Sequence, residues 1–311
     1  MSLLVVGSIG IDDVKTPREA RKDLLGGSAS YAAVAASYFA EPRLVGVVGE
    51  DFPGELRRIF QRRGVDLAGM QVEPGRTFRW SGEYFHNMNE RRTLSVALNV
   101  FERFRPDLPP SCREASYALL GNIAPSLQTH VLGQMRRPRF TMADTMDLWI
   151  RTARDDLLRL LKKVDAICMN DSEARELTGE PNLNRAGRAL LRLGPSWAIV
   201  KKGEHGSLLF GKDAFFSTPA FPVEDVQDPT GAGDAFAGGF MGSVARQRRT
   251  DFATLQRAAA FGSVMAAFTV ESFSLDRLCD LSSGDIKARW RAFARMGDYD
   301  RRDAGAIRRA R

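Results

Sequence analysis

Residues 228–240, Asp-Pro-Thr-Gly-Ala-Gly-Asp-Ala-Phe-Ala-Gly-Gly-Phe, set a carboxylate, Asp234, directly after a small turn and at the mouth of a helix. Phe236, Phe240 and Val244 recur at four-residue steps, which predicts that the helix runs over 231–247 with one apolar face. Gly231 and Gly233 carry no Cβ, so a ligand could approach the backbone there. The unpaired N–H groups of a helix's first turn attract negative charge. A carboxylate beside such an anion pocket suits one reaction: taking a proton from a hydroxyl that attacks a phosphoryl group. The competing reading of Asp234 is a plain helix cap, but a cap needs neither the two glycines nor Asp228 upstream.

Two other phosphate motifs fail on the same chain. A dinucleotide fingerprint counted from Gly231 needs glycine where Phe236 stands. Residues 206–213, Gly-Ser-Leu-Leu-Phe-Gly-Lys-Asp, come close to a P-loop, but Asp213 replaces the hydroxyl residue that would hold magnesium. Ser207 to Phe210 instead read as a strand and Gly211-Lys212-Asp213 as the turn of a hairpin.

The segment at 228–240 resembles the signature of the ribokinase-like (PfkB) carbohydrate and nucleoside kinases, roughly Asp-Thr-x-Gly-Ala-Gly-Asp before a Phe- and Gly-rich helix. The resemblance implies that Asp234 is the general base and that the amides of Gly231, Ala232 and Gly233 form the anion hole. It extends to weaker segments. Gly7-Ser-Ile-Gly-Ile-Asp12 puts Asp12 after the first strand, at the start of a loop, where the family uses an Asp to hold substrate hydroxyls. Gly26-Gly27, before a helix over 28–40 with Ser28 as its cap, resembles the family's diglycine for substrate binding. The chain departs from the family at Tyr31, where Asn is frequent; the ring either packs on a base or sugar face or joins the core.

Asn170-Asp-Ser-Glu173 resembles the Asn-x-x-Glu motif associated with magnesium, held through water; the same four residues also spell a capping box. Lys202, Gly203 and Gly206, in Val200-Lys-Lys-Gly-Glu-His-Gly, resemble the strand and Gly-x-x-Gly turn that line the nucleotide, with Lys202 reaching phosphate. Asp228 has two readings: holding a monovalent cation such as potassium beside the anion hole, or capping the turn before Pro229.

Apolar runs at 3–7, 43–48, 117–121, 139–143, 165–169 and 197–201 alternate with helical patterns at 28–40, 53–63, 125–136, 151–163, 171–178, 184–193, 231–247, 251–270 and 285–296. That alternation predicts an α/β fold, a mostly parallel central sheet flanked by helices, in one main domain over 1–311. Residues 76–104 break the rhythm with period-two runs around a turn at His86–Arg91, the pattern of an antiparallel hairpin. The resemblance makes this, with part of 9–25, a small β-sheet lid that closes over substrate and excludes water. Its exposed edge offers a homodimer interface.

A length of 311 residues with 44% hydrophobic content is ample for a large core. The three cysteines and three histidines show no paired spacing, which argues against disulfides and zinc. The opening apolar run is too short for a signal peptide and no run has transmembrane length, so a cytoplasmic protein without membrane contact is expected. The net charge of +7 is spread over helix surfaces and over Arg308–Arg311, not interleaved with aromatics, which argues against nucleic acid as a partner. The expected activity is transfer of the γ-phosphoryl group of ATP, with magnesium, to a hydroxyl of a sugar or nucleoside. Tyr31 and the aromatic run Phe78, Trp80, Tyr84, Phe85 lean towards an acceptor with a stackable base. The alternative is a sugar- or nucleotide-sensing protein without catalysis, which would have no use for Asp234.

Overall fold

Strands rich in Val, Ile and Leu whose two faces are both apolar must be covered on both sides, and the chain folds accordingly. A computed structural model describes residues 1–296; the Arg308–Arg311 run lies outside them. Strands β1 (Ser2–Val6), β2 (Gly10–Lys15), β3 (Ala20–Gly26), β4 (Glu41–Gly49), β5 (Asp66–Glu73), β6 (Phe78–Tyr84) and β7 (Arg91–Ala97) occupy the first third of the chain. β8 (Tyr117–Leu120), β9 (Phe140–Asp144), β10 (Ala166–Asn170), β11 (Trp197–Lys201), β12 (Ser207–Gly211) and β13 (Ala214–Thr218) follow. They form a nine-stranded sheet in the order β13-β12-β11-β10-β9-β8-β1-β4-β5 and a four-stranded sheet in the order β3-β2-β6-β7. The large sheet is parallel from β5 to β11, and β12 and β13 add an antiparallel hairpin, as the sequence of 207–213 predicts.

Alternation along a strand sends neighbours to opposite faces. In β1, Leu3 and Val5 join one core while Leu4 and Val6 join the other. The first core is closed by the helices Ser28–Ala36, Ala232–Gln247 and Phe252–Thr269, which carry Ala33, Phe240 and Val264. Glycine lets two of these helices approach closely: a Cβ on Gly238 would strike the backbone of Ala32. That close packing fixes the N-terminal end of the helix Ala232–Gln247, and so Asp234.

The small sheet contains β2 and β3 as well as the predicted hairpin, β6 and β7. Asp12 therefore lies in a strand of this sheet, not in a loop after β1. β5, an edge strand with a glycine at its centre, has no counterpart in the sequence pattern. The helix expected over 28–40 ends at Ala36, where the Ser37 hydroxyl donates to the Val34 carbonyl (2.7 Å). Ser28 is not its cap: Gly27 takes that position, and Ser28 pairs with Ser8 instead. The helix expected over 151–163 divides into Asp147–Thr152 and Arg154–Leu161 at Ala153. Among the described residues no helix is long and apolar enough to cross a membrane, and the three cysteines are free.

Candidate active site

Open parallel sheets collect polar side chains beyond the carboxyl ends of their strands. Three adjacent strands do so here: β9 ends at Asp144, β10 at Asn170 and β11 at Lys201. The Lys201 ammonium lies 3.1 Å from Asp144 Oδ2, and both side chains are largely buried. The helix Ala232–Gln247 brings its N-terminus to the same place, with Gly231 in the left-handed region at φ 75° and Asp234 in the first turn. A Cβ on Gly231 would run into the ring of Tyr31, and one on Gly233 would stand 3.1 Å from Lys201 Nζ. Each glycine thus makes room for a specific neighbour, and between them the Ala232 N–H donates to the Pro229 carbonyl (3.3 Å).

The carboxylates here share a low-dielectric setting. Burial, with Asp144 adding to it, pushes Asp234 up to about 7, against the opposing pull of Lys201 and Arg91. Burial likewise raises Glu173 to about 7. Lys201 is held well above its ordinary value: burial works against its charge, but Asp144, Cys168, Glu173 and Asp234 outweigh it. One ammonium therefore serves several acids, and it stays charged.

Asp12 is 4% exposed, and its Oδ1 is buried without a hydrogen-bond partner. Burial, then Asp228, Asp234 and Asp13, raises it to about 8. Gly26 leaves space for this carboxylate, since a Cβ there would collide with it, and Gly27 at φ 93° passes under the Ser8 carbonyl. The diglycine thus seats Asp12 and turns the chain into its helix. An orphaned carboxyl oxygen of this kind has the capacity to accept from a hydroxyl donor.

Tyr31 is 2% exposed with its ring beneath Gly231, so it supports the loop and is not a stacking surface. Burial, with Asp228 and Asp12, raises its phenol well above the usual range. Asn170 and Glu173 form the capping box: the Asn170 side chain accepts from Glu173 N–H (2.8 Å), and Glu173 Oε2 accepts from Asn170 N–H (2.8 Å). Both also line a cavity of about 850 Å³, so the box does not withdraw them from it. Among the described residues no group of three His, Cys, Asp or Glu side chains could hold a metal directly. The oxygen donors of Asn170 and Glu173 nevertheless fit magnesium, which keeps most of its waters. Asp228 is fully buried; Oδ1 accepts from Thr230 N–H (2.9 Å) and Oδ2 from Ser274 N–H (3.2 Å), which is the turn-capping arrangement.

Gly203 and Gly206 line the cavity, but the lysine that does so is Lys201, not Lys202. Successive residues of a strand point to opposite faces, and Lys201, as the last residue of β11, points inward. Lys201, Asp144 and Arg91 are the site residues that motif spacing missed; position at a strand's carboxyl end would have found the first two. Arg91, from β7, also lines the cavity. The small sheet clasps the site at two points: the Thr230 hydroxyl lies 3.1 Å from Tyr84 Oη, and Asn89 donates to Glu204 (2.9 Å). The aromatic run divides. Tyr84 is buried at the cavity wall and Trp80 packs near it, while Phe78 packs on Phe101 and Phe85 is exposed. Phe221, Val226, Ala266 and Val270 give the cavity an apolar part to its lining.

The profile of the pfkB family carbohydrate kinases matches residues 4–279. The cytidine kinase of Thermococcus kodakarensis is 30% identical over 257 residues, covering 80% of this chain and 90% of its own. The aminoimidazole riboside kinase of Salmonella typhimurium is 28% identical over 287 residues, covering 86% and 88% respectively. Among solved structures, the nucleoside kinase of Burkholderia thailandensis in complex with inosine superposes with a TM-score of 0.76 at 20% identity, over 94% of this chain and 97% of that one.

Proposed function

From the premise that this chain belongs to the pfkB family of carbohydrate kinases and is a sugar or nucleoside kinase acting on a hydroxyl group, we propose that it phosphorylates a nucleoside, with Asp234 as the general base. The observation that carries this reading is the closeness of Asp234, on a glycine-turned helix end whose Ala232 and Gly233 line the cavity, to the buried acid Asp12, which it helps to hold protonated. The acceptor donates hydroxyls to Asp12. Asp234 takes the proton of the attacking hydroxyl as its oxygen bonds to the γ-phosphorus of ATP, and the bond to the bridging oxygen of ADP breaks. A base with a pKa near 7 is matched to this task at neutral pH.

In this reading the amides of Gly231 and Gly233 offset the charge that the oxygens of the transferred group carry in the transition state, while the Ala232 N–H donates to the Pro229 carbonyl (3.3 Å) until the loop is loaded. The apolar lining at Phe221 and Val226 would suit the nucleotide base, and Gly203 and Gly206, which line the same cavity, would leave room for the phosphates. Magnesium, held through water by Asn170 and Glu173, would supply charge neutralisation on the donor phosphates. Tyr84 and Arg91 come from the small sheet, so its closure completes the site and excludes water.

A nucleoside is favoured over a free sugar because the cytidine and aminoimidazole riboside kinases are relatives over most of their length. Tyr31 lends no support, being buried under the loop. A panel of nucleosides and free pentoses with magnesium-ATP, read as ADP release, tests the reading. At least one nucleoside should turn over roughly tenfold faster than its pentose, and Asp234→Asn should lose a hundred- to ten-thousandfold in turnover. A variant that keeps half of the wild-type rate would remove Asp234 from the chemistry; efficient phosphorylation of free sugars alone would leave a sugar kinase.

A further inference from the structure

Resting on that reading, we propose that Lys201 is a catalytic residue whose ammonium, steadied by Asp144, contacts the transferred phosphoryl group. Its place is specific. Nζ lies 3.1 Å from Asp144 Oδ2, and the side chain, 16% exposed, lines the cavity. The same atom would be 3.1 Å from a Cβ on Gly233, so the ammonium stands against the backbone of the anion hole itself.

The chemistry fits the position. An ammonium carries three donors and no acceptor, and among the described residues Asp144 is its one hydrogen-bond partner. The cavity that Lys201 lines is also edged by Asn170, Glu173 and Gly233, which leaves the other donors for a ligand there. A buried ion pair adds little to stability compared with apolar residues of similar size, so a fold gains little from a lysine here. A phosphoryl group in transit carries charge on three oxygens, and the backbone amides alone bring no full positive charge to it. Lys201 keeps all its protons throughout the transfer: the attacking hydroxyl's proton goes to Asp234, and Lys201 only binds oxygen. Gly233 then has a second reason for its identity, since a side chain there would crowd the ammonium.

Removing Lys201 alone leaves Asp144 buried without its partner, which could disturb the fold, so the test uses Lys201→Met together with the double variant Lys201→Met/Asp144→Asn. The double variant removes both charges and should recover thermal stability. If Lys201 touches the phosphoryl group, both variants lose about a hundred- to thousandfold in kcat, while KM for the acceptor moves less than about threefold. If the pair is only structural, the double variant regains wild-type kcat along with stability, and the proposal is overturned. Calorimetry supplies an arm independent of turnover. Lys201→Met should weaken AMP-PNP about tenfold or more and ADP much less, because only the former carries a γ-phosphate; equal effects on the two would also overturn it. A wild type that releases no ADP with any acceptor refutes the kinase reading, and the calorimetric arm still decides Lys201.

Discussion

Replacing Asp12 by Asn should make the free protein more stable at pH 8 than at pH 5 relative to wild type, while abolishing its hold on the acceptor. Asp12 rises from 3.8 to about 8 in the folded chain, chiefly through burial and then through Asp228, Asp234 and Asp13. The difference is about 4, and each pKa unit corresponds to about 1.4 kcal/mol, so the ionised carboxylate costs the fold at most about 5–6 kcal/mol. The folded value lies above the unfolded one. The contribution to stability is therefore fully present below about pH 4 and is lost as the pH climbs through about 8. An amide of the same size does not titrate, so the variant escapes that loss. Local relaxation and entering water reduce the figure, and a gain about 1–3 kcal/mol larger at pH 8 than at pH 5 is expected. Urea unfolding of the ligand-free protein at the two pH values measures it, and the comparison cancels any packing change common to both. A gain that is equal at the two pH values, or smaller at pH 8, would refute the claim that Asp12 is a strained, buried acid kept for binding.

Gly231→Ala should cost about 2–4 kcal/mol in the same unfolding assay, because a Cβ at φ 75° is strained and runs into the Tyr31 ring; a loss below 1 kcal/mol would show that the loop is not seated on that ring. Glu173→Gln should weaken the apparent magnesium affinity in turnover while leaving stability at pH 8 unchanged or higher, since Gln keeps an acceptor for Asn170 N–H and removes a charge that burial raises to about 7. Unchanged magnesium dependence with lowered stability would leave Glu173 a capping residue alone.

The fold was legible wherever a strand is buried on both faces. The runs around 3–7, 43–48, 117–121, 139–143, 165–169 and 197–201 fall on β1, β4, β8, β9, β10 and β11 within two residues at each end, because buried parallel strands need continuous apolar residues. Those that escaped notice are partly solvated. β5 is an edge strand interrupted by Gly69, and β2 and β3 carry charged residues because much of the small sheet faces water. The helix ends also drifted where the stop is a side-chain event, such as the Ser37 hydroxyl on the Val34 carbonyl, which periodicity cannot see.

The site divides along the same line between local and long-range causes. Gly231, Gly233 and Asp234 were readable because one turn and one helix carry them, so their spacing is their geometry. Asp144 and Lys201 stand 57 residues apart and meet only because β9, β10 and β11 are neighbours in the sheet. No local spacing encodes that meeting; strand order does. Tyr31 shows the converse: standing where the family often has Asn, it suggested either a face for the substrate or a core residue, and the packing of its helix against Ala232–Gln247 put its ring under Gly231. The charges of the pocket follow from this arrangement. Asp12, Glu173 and Asp234 are gathered beyond the strand ends with Lys201 and Arg91 as the opposing cations, and burial holds all three acids near or above neutrality. Such a pocket strains the empty protein and is relieved by a partner that brings hydroxyl donors to Asp12 and a hydrated cation to Glu173. A polyhydroxylated acceptor and a magnesium-bound nucleotide together meet both demands, so the same acids that weaken the free fold would make ligand binding favourable.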